Sequence, residues 1–168
     1  TVTGNTISGT DAANYNLVQQ AGLTADIAKA ELTLSGTRTY DGTTAAAGSI
    51  LTASGVNGES FSLTGSGTLA SKDAGTRAVQ TLDTLALGAG SGGASAGNYN
   101  ALSTTGSAVT ISKKALSLLG LTAQNKTFDG NTTASFAGTA SVGGGSTSAT
   151  DGRFIGTEAV SVCGTPVG

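Results

Sequence analysis

The stretch GTRTYDGTTAA, residues 36–46, returns near the other end of the chain as QNKTFDGNTTAS, residues 124–135. Both copies place an aromatic residue before an Asp-Gly pair and a Thr-Thr pair shortly after it. Asp-Gly favours a tight turn, because glycine tolerates positive φ and aspartate bonds to the backbone that follows it. The echo therefore predicts that one structural unit is used more than once.

Three further matches set the spacing of the repeat. NYN and the pair IAKAEL/ISKKAL each return after 84 positions (98 − 14 and 111 − 27), and Asp-Gly returns after 88 (129 − 41). ESFSLTG returns as EAVSVCG after 99 positions (158 − 59). The alignment predicts the end of one unit at 1–27, a complete unit at 28–111 and the front of another at 112–168. A unit of this length suits a small autonomous domain better than a solenoid coil.

The composition argues against catalysis and against nucleic-acid binding. Of the 168 residues, 11% are charged and none is histidine, and the net charge is −2. The 10 acidic residues are dispersed and form no paired-carboxylate motif or calcium loop. The sequence therefore predicts no catalytic residue, no cofactor and no metal site. It also lacks the basic block that attracts nucleic acid.

Short alternations of apolar and polar residues predict an all-β fold. They include Leu32 and Leu34, Phe61 and Leu63, and Val109 and Ile111. Each pair is spaced for one face of a strand, and Gly-rich breaks separate the segments. The pattern is typical of an antiparallel sandwich or a small barrel.

Two tyrosines are predicted to anchor the unit. Asp11-Ala-Ala-Asn-Tyr15 has the spacing of the tyrosine corner of immunoglobulin-like sandwiches, and Ser95-Ala-Gly-Asn-Tyr99 keeps the tyrosine but not the aspartate. We therefore expect tandem immunoglobulin-like antiparallel β-sandwich repeats. The alternative is a small β-grasp-like or barrel repeat.

The order of these landmarks resembles the YDG repeat of large bacterial surface adhesins. Tyr40-Asp41-Gly42-Thr43-Thr44 is followed by GVNGESFSLTGSG, LASKDAGT, AGNYN and AVTISKKAL. The resemblance is to filamentous-haemagglutinin-like and high-molecular-weight adhesins, which are exported by two-partner secretion. It implies an extracellular location on the bacterial cell surface, a stalk role among neighbouring repeats, an outer-membrane export partner and a receptor that the sequence does not identify.

The alignment also assigns roles to the repeated turns. Asp41-Gly42 and Asp129-Gly130 are predicted to form the same turn in successive units, and the preceding aromatic residues, Tyr40 and Phe128, are expected in the core. The leading function is a structural stalk segment. The alternative is a glycan- or protein-binding module, which usually needs exposed aromatic residues. A hydrolase is the third interpretation and lacks a catalytic cluster.

Four other features carry weaker expectations. Asn125 and Asn131 begin N-x-S/T sequons and are candidate glycosylation acceptors, although bare turn residues are the favoured interpretation. Cys163 is predicted to face outward, where it is either incidental or pairs with a cysteine of another chain or of a further part of the protein. Residues 88–93 match G-x-G-x-x-G, but the flanking pattern favours a loop. The two partial units predict a longer rod or head-to-tail association, because each lacks partner strands.

Overall fold

The protein, represented by a computed structural model that describes residues 2–166, consists of strands and short turns. Strands hold 33% of the residues, and the helical segments described are the 3₁₀ turns Ala12–Asn14, Gly48–Ile50 and Ala96–Asn98. The prediction of an all-β fold is confirmed. The strands are β1 (Thr33–Thr39), β2 (Ala45–Ala47), β3 (Leu51–Ser54), β4 (Ser60–Thr64), β5 (Ser66–Leu69), β6 (Gly75–Thr81), β7 (Ala86–Ser91), β8 (Ala108–Ser112), β9 (Leu118–Leu119), β10 (Thr122–Gln124), β11 (Ser135–Ala137) and β12 (Ser141–Val142).

The first eight strands form a single sheet that curls into a half-barrel. Its order is β2-β5-β6-β8-β1-β3-β4-β7. Neighbours pair antiparallel except β1 and β8, which run parallel from Ser35 opposite Ala108 to Thr39 opposite Ser112. This parallel pair departs from the predicted antiparallel pattern. It forms between the first and last strands of the unit because a parallel pair needs a long return connection, which the strands between them supply.

The buried residues of the hydrophobic core all lie within residues 32–111. Alternating positions of β4 and β8 supply buried side chains, as the period-2 pattern predicted, and Leu32 and Leu34 are buried just before and within β1. Burial of this apolar surface supplies most of the favourable free energy of folding. The buried apolar side chains are Leu32, Leu34, Ala46, Leu51, Ala53, Phe61, Leu63, Leu69, Val79, Tyr99, Val109 and Ile111.

A glycine in β1 allows the connection between β2 and β3 to pack directly on the sheet. A Cβ atom at Gly36 would lie 2.2 Å from the carbonyl oxygen of Ile50, in the 3₁₀ turn Gly48–Ile50. No side chain fits at that distance. The alignment places Gly120 at the equivalent position of the following unit, so the repeat keeps this close approach in its sequence.

Outside the eight-stranded sheet, the remaining described strands form only small ladders. β10 pairs with β11, and β12 pairs with β9, as two separate two-stranded ladders. Residues 2–29 contain one 3₁₀ turn and no strand. Within residues 2–166, tandem immunoglobulin-like sandwiches are not shown, and the single curled sheet is nearer to the barrel alternative. No helical segment in the same range has the length and apolarity needed to cross a bilayer.

Candidate functional site

Tyr99 joins the two halves of the complete unit. It follows the 3₁₀ turn Ala96–Asn98 and is 3% exposed. Its ring packs edge-on against Phe61 of β4, with centroids 5.5 Å apart and planes at 84°. Its hydroxyl donates to the Glu59 carboxylate and accepts the N–H of Val56 at 3.2 Å. The hydrogen bond to Glu59 raises the pKa of Tyr99 above its ordinary value, because the neutral hydroxyl is the donor.

The backbone beside Tyr99 adds a second connection between the halves. The N–H of Ala30 donates to the carbonyl of Asn98 at 3.0 Å, and the N–H of Asn100 donates to the carbonyl of Ala30 at 2.9 Å. The start of the unit is therefore paired with the segment that leads into β8. The tyrosine and this bridge act at the same place.

The first Asp-Gly turn is held by its own aspartate. Oδ1 of Asp41 accepts both the N–H and the hydroxyl of Thr43 at 2.9 Å, and Arg38 pairs with the same carboxylate. Gly42 has φ of 78°. Partial burial raises the pKa of Asp41, but the hydrogen bonds from Arg38 and Thr43 outweigh it, so the pKa lies below its ordinary value.

The second Asp-Gly turn has the same local structure. Oδ1 of Asp129 accepts the N–H of Asn131 at 3.2 Å and lies 2.7 Å from Nζ of Lys126, which is aligned with Arg38. Gly130 has φ of 89°. The hydrogen bond from Lys126 holds the pKa of Asp129 below its ordinary value. Phe128, expected in the core, is instead 86% exposed, because the sheet that would cover it is not formed around it.

The 3₁₀ turn before tyrosine also recurs at the predicted spacing. Tyr15 follows the 3₁₀ turn Ala12–Asn14 and donates its N–H to the carbonyl of Ala12 at 3.2 Å, as Tyr99 does to Ala96 at 3.2 Å. Tyr15 is nevertheless 73% exposed and not a core anchor, because no partner segment lies over it.

The turn before the second glutamate also matches the first. The N–H of Glu59 donates to Val56 at 2.9 Å, and that of Glu158 donates to Ile155 at 3.1 Å. Asn57, which follows Val56 in the first turn, has φ of 51°, and Gly156, which follows Ile155 in the second turn, has φ of 53°. This agreement supports the weakest of the sequence alignments.

A cleft lies where the complete unit meets the C-terminal segment. The Tyr40 hydroxyl donates to Oε1 of Glu158, and Nζ of Lys72 lies 2.8 Å from the same hydroxyl, 3.3 Å from Oε1 and 5.3 Å from the ring centre. The bond to Glu158 raises the pKa of Tyr40, and the bond from Tyr40 lowers the pKa of Glu158. The cleft has a volume of about 340 Å³, and its other lining residues include Lys113, Lys114, Leu116, Phe154, Ile155 and Val160.

A buried lysine fixes the wall of this cleft. Nζ of Lys114 lies 2.8 Å from Oδ1 of Asp151, whose other oxygen accepts the hydroxyl of Ser146. The hydrogen bond from Lys114, followed by that from Ser146, holds the pKa of Asp151 well below its ordinary range. The side chain of Lys114 is almost fully covered, so the pair joins the start of the C-terminal segment to its later part.

The other sequence candidates lie on the surface. Asn125 and Asn131 are exposed, and Oδ1 of Asn131 accepts from Lys126 at 2.6 Å. Cys163 is an exposed free thiol. Residues 88–93 form part of β7 and the turn after it. No group of three or more potential metal ligands occurs among the residues that the structure describes.

Sequence reasoning missed both glutamates as partners of tyrosines. Glu59 and Glu158 align with each other, but by sequence alone they belong to the dispersed acidic residues. Glutamate stands at the same place in ESFSLTG and EAVSVCG and follows the same turn in both. The tyrosine partner differs, because Glu59 accepts from Tyr99 and Glu158 accepts from Tyr40.

Comparisons with known proteins give one match. The family model described as the YDG domain matches residues 24–107, which is half of the chain. The matched region contains β1 to β7 and ends one residue before β8, and it includes Tyr99 with its hydrogen-bond partners Glu59 and Val56. The searches of curated proteins and of solved structures returned no match.

Proposed function

The chain belongs to the YDG domain family, and from that premise we propose that it is a structural stalk segment of a secreted bacterial surface adhesin. In this role, copies of the unit follow one another along a fibre outside the cell, after export through an outer-membrane partner. The proposed units are the boundaries expected from the sequence: 1–27, 28–111 and 112–168. We propose no enzymatic role.

The observation that carries the proposal is the recurrence of local structure. The Asp-Gly turn, the 3₁₀ turn before tyrosine and the turn before glutamate each occur twice, at the positions that the repeat dictates. Repeat proteins are built from such units, each of which contacts its neighbours in the chain. The proposal retains the tandem arrangement of the predicted immunoglobulin-like repeats but replaces the sandwich by the curled sheet.

A fusion of two copies of the chain tests the proposal. By the alignment, residue 168 corresponds to position 69 (168 − 99) and residue 1 to position 85 (1 + 84), so residues 70–84 inserted between the copies restore the phase of the repeat. We expect a third complete unit at the junction, with two more already present in the two copies. Small-angle scattering should then show a rod, and the strand signal in circular dichroism should exceed twice that of one chain.

A Gly/Ser linker of the same length is the matched control for this fusion. It has the reach of the natural segment but none of the residues of β6, so it cannot complete the sheet. If both fusions give the same strand signal and the same dimensions, the junction builds no unit and the stalk proposal is wrong.

The second candidate function is a glycan- or protein-binding module, which the cleft beside Tyr40 favours. Its volume of about 340 Å³ lies within the usual range for small-ligand sites. It combines the rings of Tyr40 and Phe154 with the charged groups of Lys113 and Glu158, which suits a ligand with both apolar faces and hydroxyl groups. A glycan array probed with the chain and with a Phe154→Ala variant tests it. Binding that the variant loses supports this function, and the absence of binding refutes it for glycans.

A further inference from the structure

One asparagine of the complete unit is followed directly by glycine. This pair, Asn57-Gly58, lies in the turn between β3 and β4, and every other asparagine of the chain precedes a larger residue. In an Asn-Gly pair the backbone nitrogen of the glycine can attack the side-chain carbonyl of the asparagine and close a five-membered ring. Glycine favours this attack because it has no side chain to hinder the approach.

The structure leaves both reacting groups of this pair free. Asn57 and Gly58 are exposed, and a Cβ atom added at Gly58 would meet no other atom within 4 Å. Neither the side-chain amide of Asn57 nor the N–H of Gly58 makes a hydrogen bond within residues 2–166. The carbonyl that would be attacked and the nitrogen that would attack it are therefore both unprotected.

The ends of the turn, in contrast, are held firmly. The N–H of Glu59 donates to the carbonyl of Val56 at 2.9 Å, and the N–H of Gly55 donates to the carbonyl of Glu59 at 2.8 Å. The buried Tyr99 hydroxyl bonds to both ends, because it accepts the N–H of Val56 and donates to the Glu59 carboxylate. Ring closure requires the backbone of the asparagine to rotate out of the turn conformation, so these contacts oppose it.

We infer that Asn57 is a site of spontaneous deamidation and that the Tyr99 hydroxyl sets its rate by holding the turn closed. Local opening of a hairpin turn costs less free energy than global unfolding, so the reaction proceeds from the folded protein. The inference concerns the complete unit alone and does not depend on the proposed stalk function.

The reaction needs only water. The Gly58 nitrogen loses its proton to solvent and forms a bond to Cγ of Asn57, while the bond from Cγ to Nδ2 breaks and the amide nitrogen leaves as ammonia. Water then opens the cyclic imide at either of its two carbonyls and returns a proton to the Gly58 nitrogen. One opening gives aspartate and the other gives isoaspartate, in which the main chain runs through the former side chain.

Both products disturb the contact between the turn and Tyr99. Each adds a negative charge two residues before Glu59, and isoaspartate also lengthens the main chain by one methylene group. The added length strains the pairing of Ser54 with Ser60, which closes the hairpin. The second copy of the turn has glycine at the aligned position, Gly156, so it lacks this site. The modification therefore weakens the complete unit gradually with age.

Incubation of the full chain in mildly alkaline buffer tests the site. Peptide mass spectrometry with chromatographic separation of the two products should show both aspartate and isoaspartate accumulating at residue 57. Asn125, an exposed asparagine followed by lysine, is the control within the same sample and should convert much more slowly. The urea midpoint should fall as the products accumulate. Asn57→Gly, which copies the second turn, should keep both its mass and its midpoint.

Tyr99→Phe tests what sets the rate. It keeps the buried ring but removes both hydrogen bonds to the turn, so deamidation should accelerate about 2- to 12-fold, the factor that corresponds to one net hydrogen bond. Ser107→Ala is the matched control, because it removes a buried hydrogen bond to the N–H of Leu34 and leaves the turn contacts unchanged. Its rate of deamidation should stay close to that of the intact chain.

Three results would overturn the inference. Conversion at residue 57 no faster than at Asn125 would remove the site. Aspartate without isoaspartate would mean direct hydrolysis of the amide, with no part for the Gly58 nitrogen. Equal acceleration by Ser107→Ala and Tyr99→Phe would mean that global unfolding, and not the Tyr99 hydroxyl, sets the rate.

Discussion

Replacing Tyr99 by alanine should remove a large part of the complete unit's free energy of unfolding. The substitution removes a ring that packs edge-on against Phe61 and a hydroxyl that bonds to Glu59 and to the N–H of Val56. Truncation of a buried aromatic side chain to alanine costs about 3–5 kcal/mol. A domain of this size is stable by about 5–15 kcal/mol, so the loss is a large fraction of the total.

Urea denaturation followed by far-ultraviolet circular dichroism measures this loss, since the chain contains no tryptophan. The midpoint should fall while the slope stays constant, because the surface exposed on unfolding barely changes. Tyr99→Phe should lose less than Tyr99→Ala, since it keeps the ring contact. All samples should be dilute, so that association does not contribute to the measured free energy.

Tyr15→Ala is the matched control within the same motif. Tyr15 follows an equivalent 3₁₀ turn but lies on the surface, so its truncation should change the free energy of unfolding by no more than about 0.5 kcal/mol. A Tyr99→Ala loss below about 1 kcal/mol, or an equal loss at Tyr15, would refute the reasoning, because burial and not the motif is what we hold responsible.

Three further predictions follow from particular contacts. Ser107→Ala should destabilise the unit by about 1–3 kcal/mol in the same urea assay, because the buried hydroxyl accepts a strand amide at 3.0 Å that would lose its partner. Gly36→Ala should prevent formation of the sheet, seen as loss of the strand signal, whereas Gly97→Ala should be tolerated, since its new Cβ would meet only one atom, at 3.8 Å. Acidification below about pH 4.5 should progressively loosen the C-terminal segment: the pKa values of Asp151 and Glu158 lie below their ordinary values of 3.8 and 4.5, so the stability they contribute is fully present above that range and is lost as the pH falls through the lowered pKa values. Faster amide hydrogen exchange in residues 113–158, with unchanged exchange in β1 and β8, is the expected observation.

The controls for these three predictions differ in kind. Ser103→Ala is the control for Ser107→Ala. The Ser103 hydroxyl accepts a backbone N–H in an exposed turn, where water can replace the lost hydroxyl. The two glycine variants control one another. For the acid prediction, exchange that accelerates equally throughout the chain would mean global unfolding and would contradict a local effect of the two carboxylates.

The strand content and the buried face of the unit were readable from the sequence. The pairs Leu32/Leu34 and Val109/Ile111 indicate a buried strand face, because side chains two residues apart lie on the same face of a strand. The same pattern does not indicate whether paired strands run parallel or antiparallel. It did not reveal that β1 and β8 lie side by side in parallel, because pairing across 73 positions (108 − 35) depends on the packing of the whole unit.

The repeat predicted local structure better than it predicted burial. Asp129 and Gly130 form the turn expected from Asp41 and Gly42, since a few neighbouring residues are enough to determine it. Phe128 does not share the partial burial of Tyr40, because burial needs distant strands. The Tyr40–Glu158 contact was unreadable for the same reason: it joins two units at positions that no spacing rule connects.

The parallel pairing of β1 and β8 determines how the unit would respond to tension. The chain enters the pair at Ser35 and leaves it at Ser112, which lie at opposite ends of the paired strands. A pull on the two flanking segments therefore drives the strands past each other along their length. The hydrogen bonds between them are loaded together in shear and cannot be opened one at a time, as they would be in a hairpin pulled at its open end. A single unit should thus resist extension up to a sharp threshold and then yield abruptly, with the pair at the centre of the sheet as its mechanical clamp.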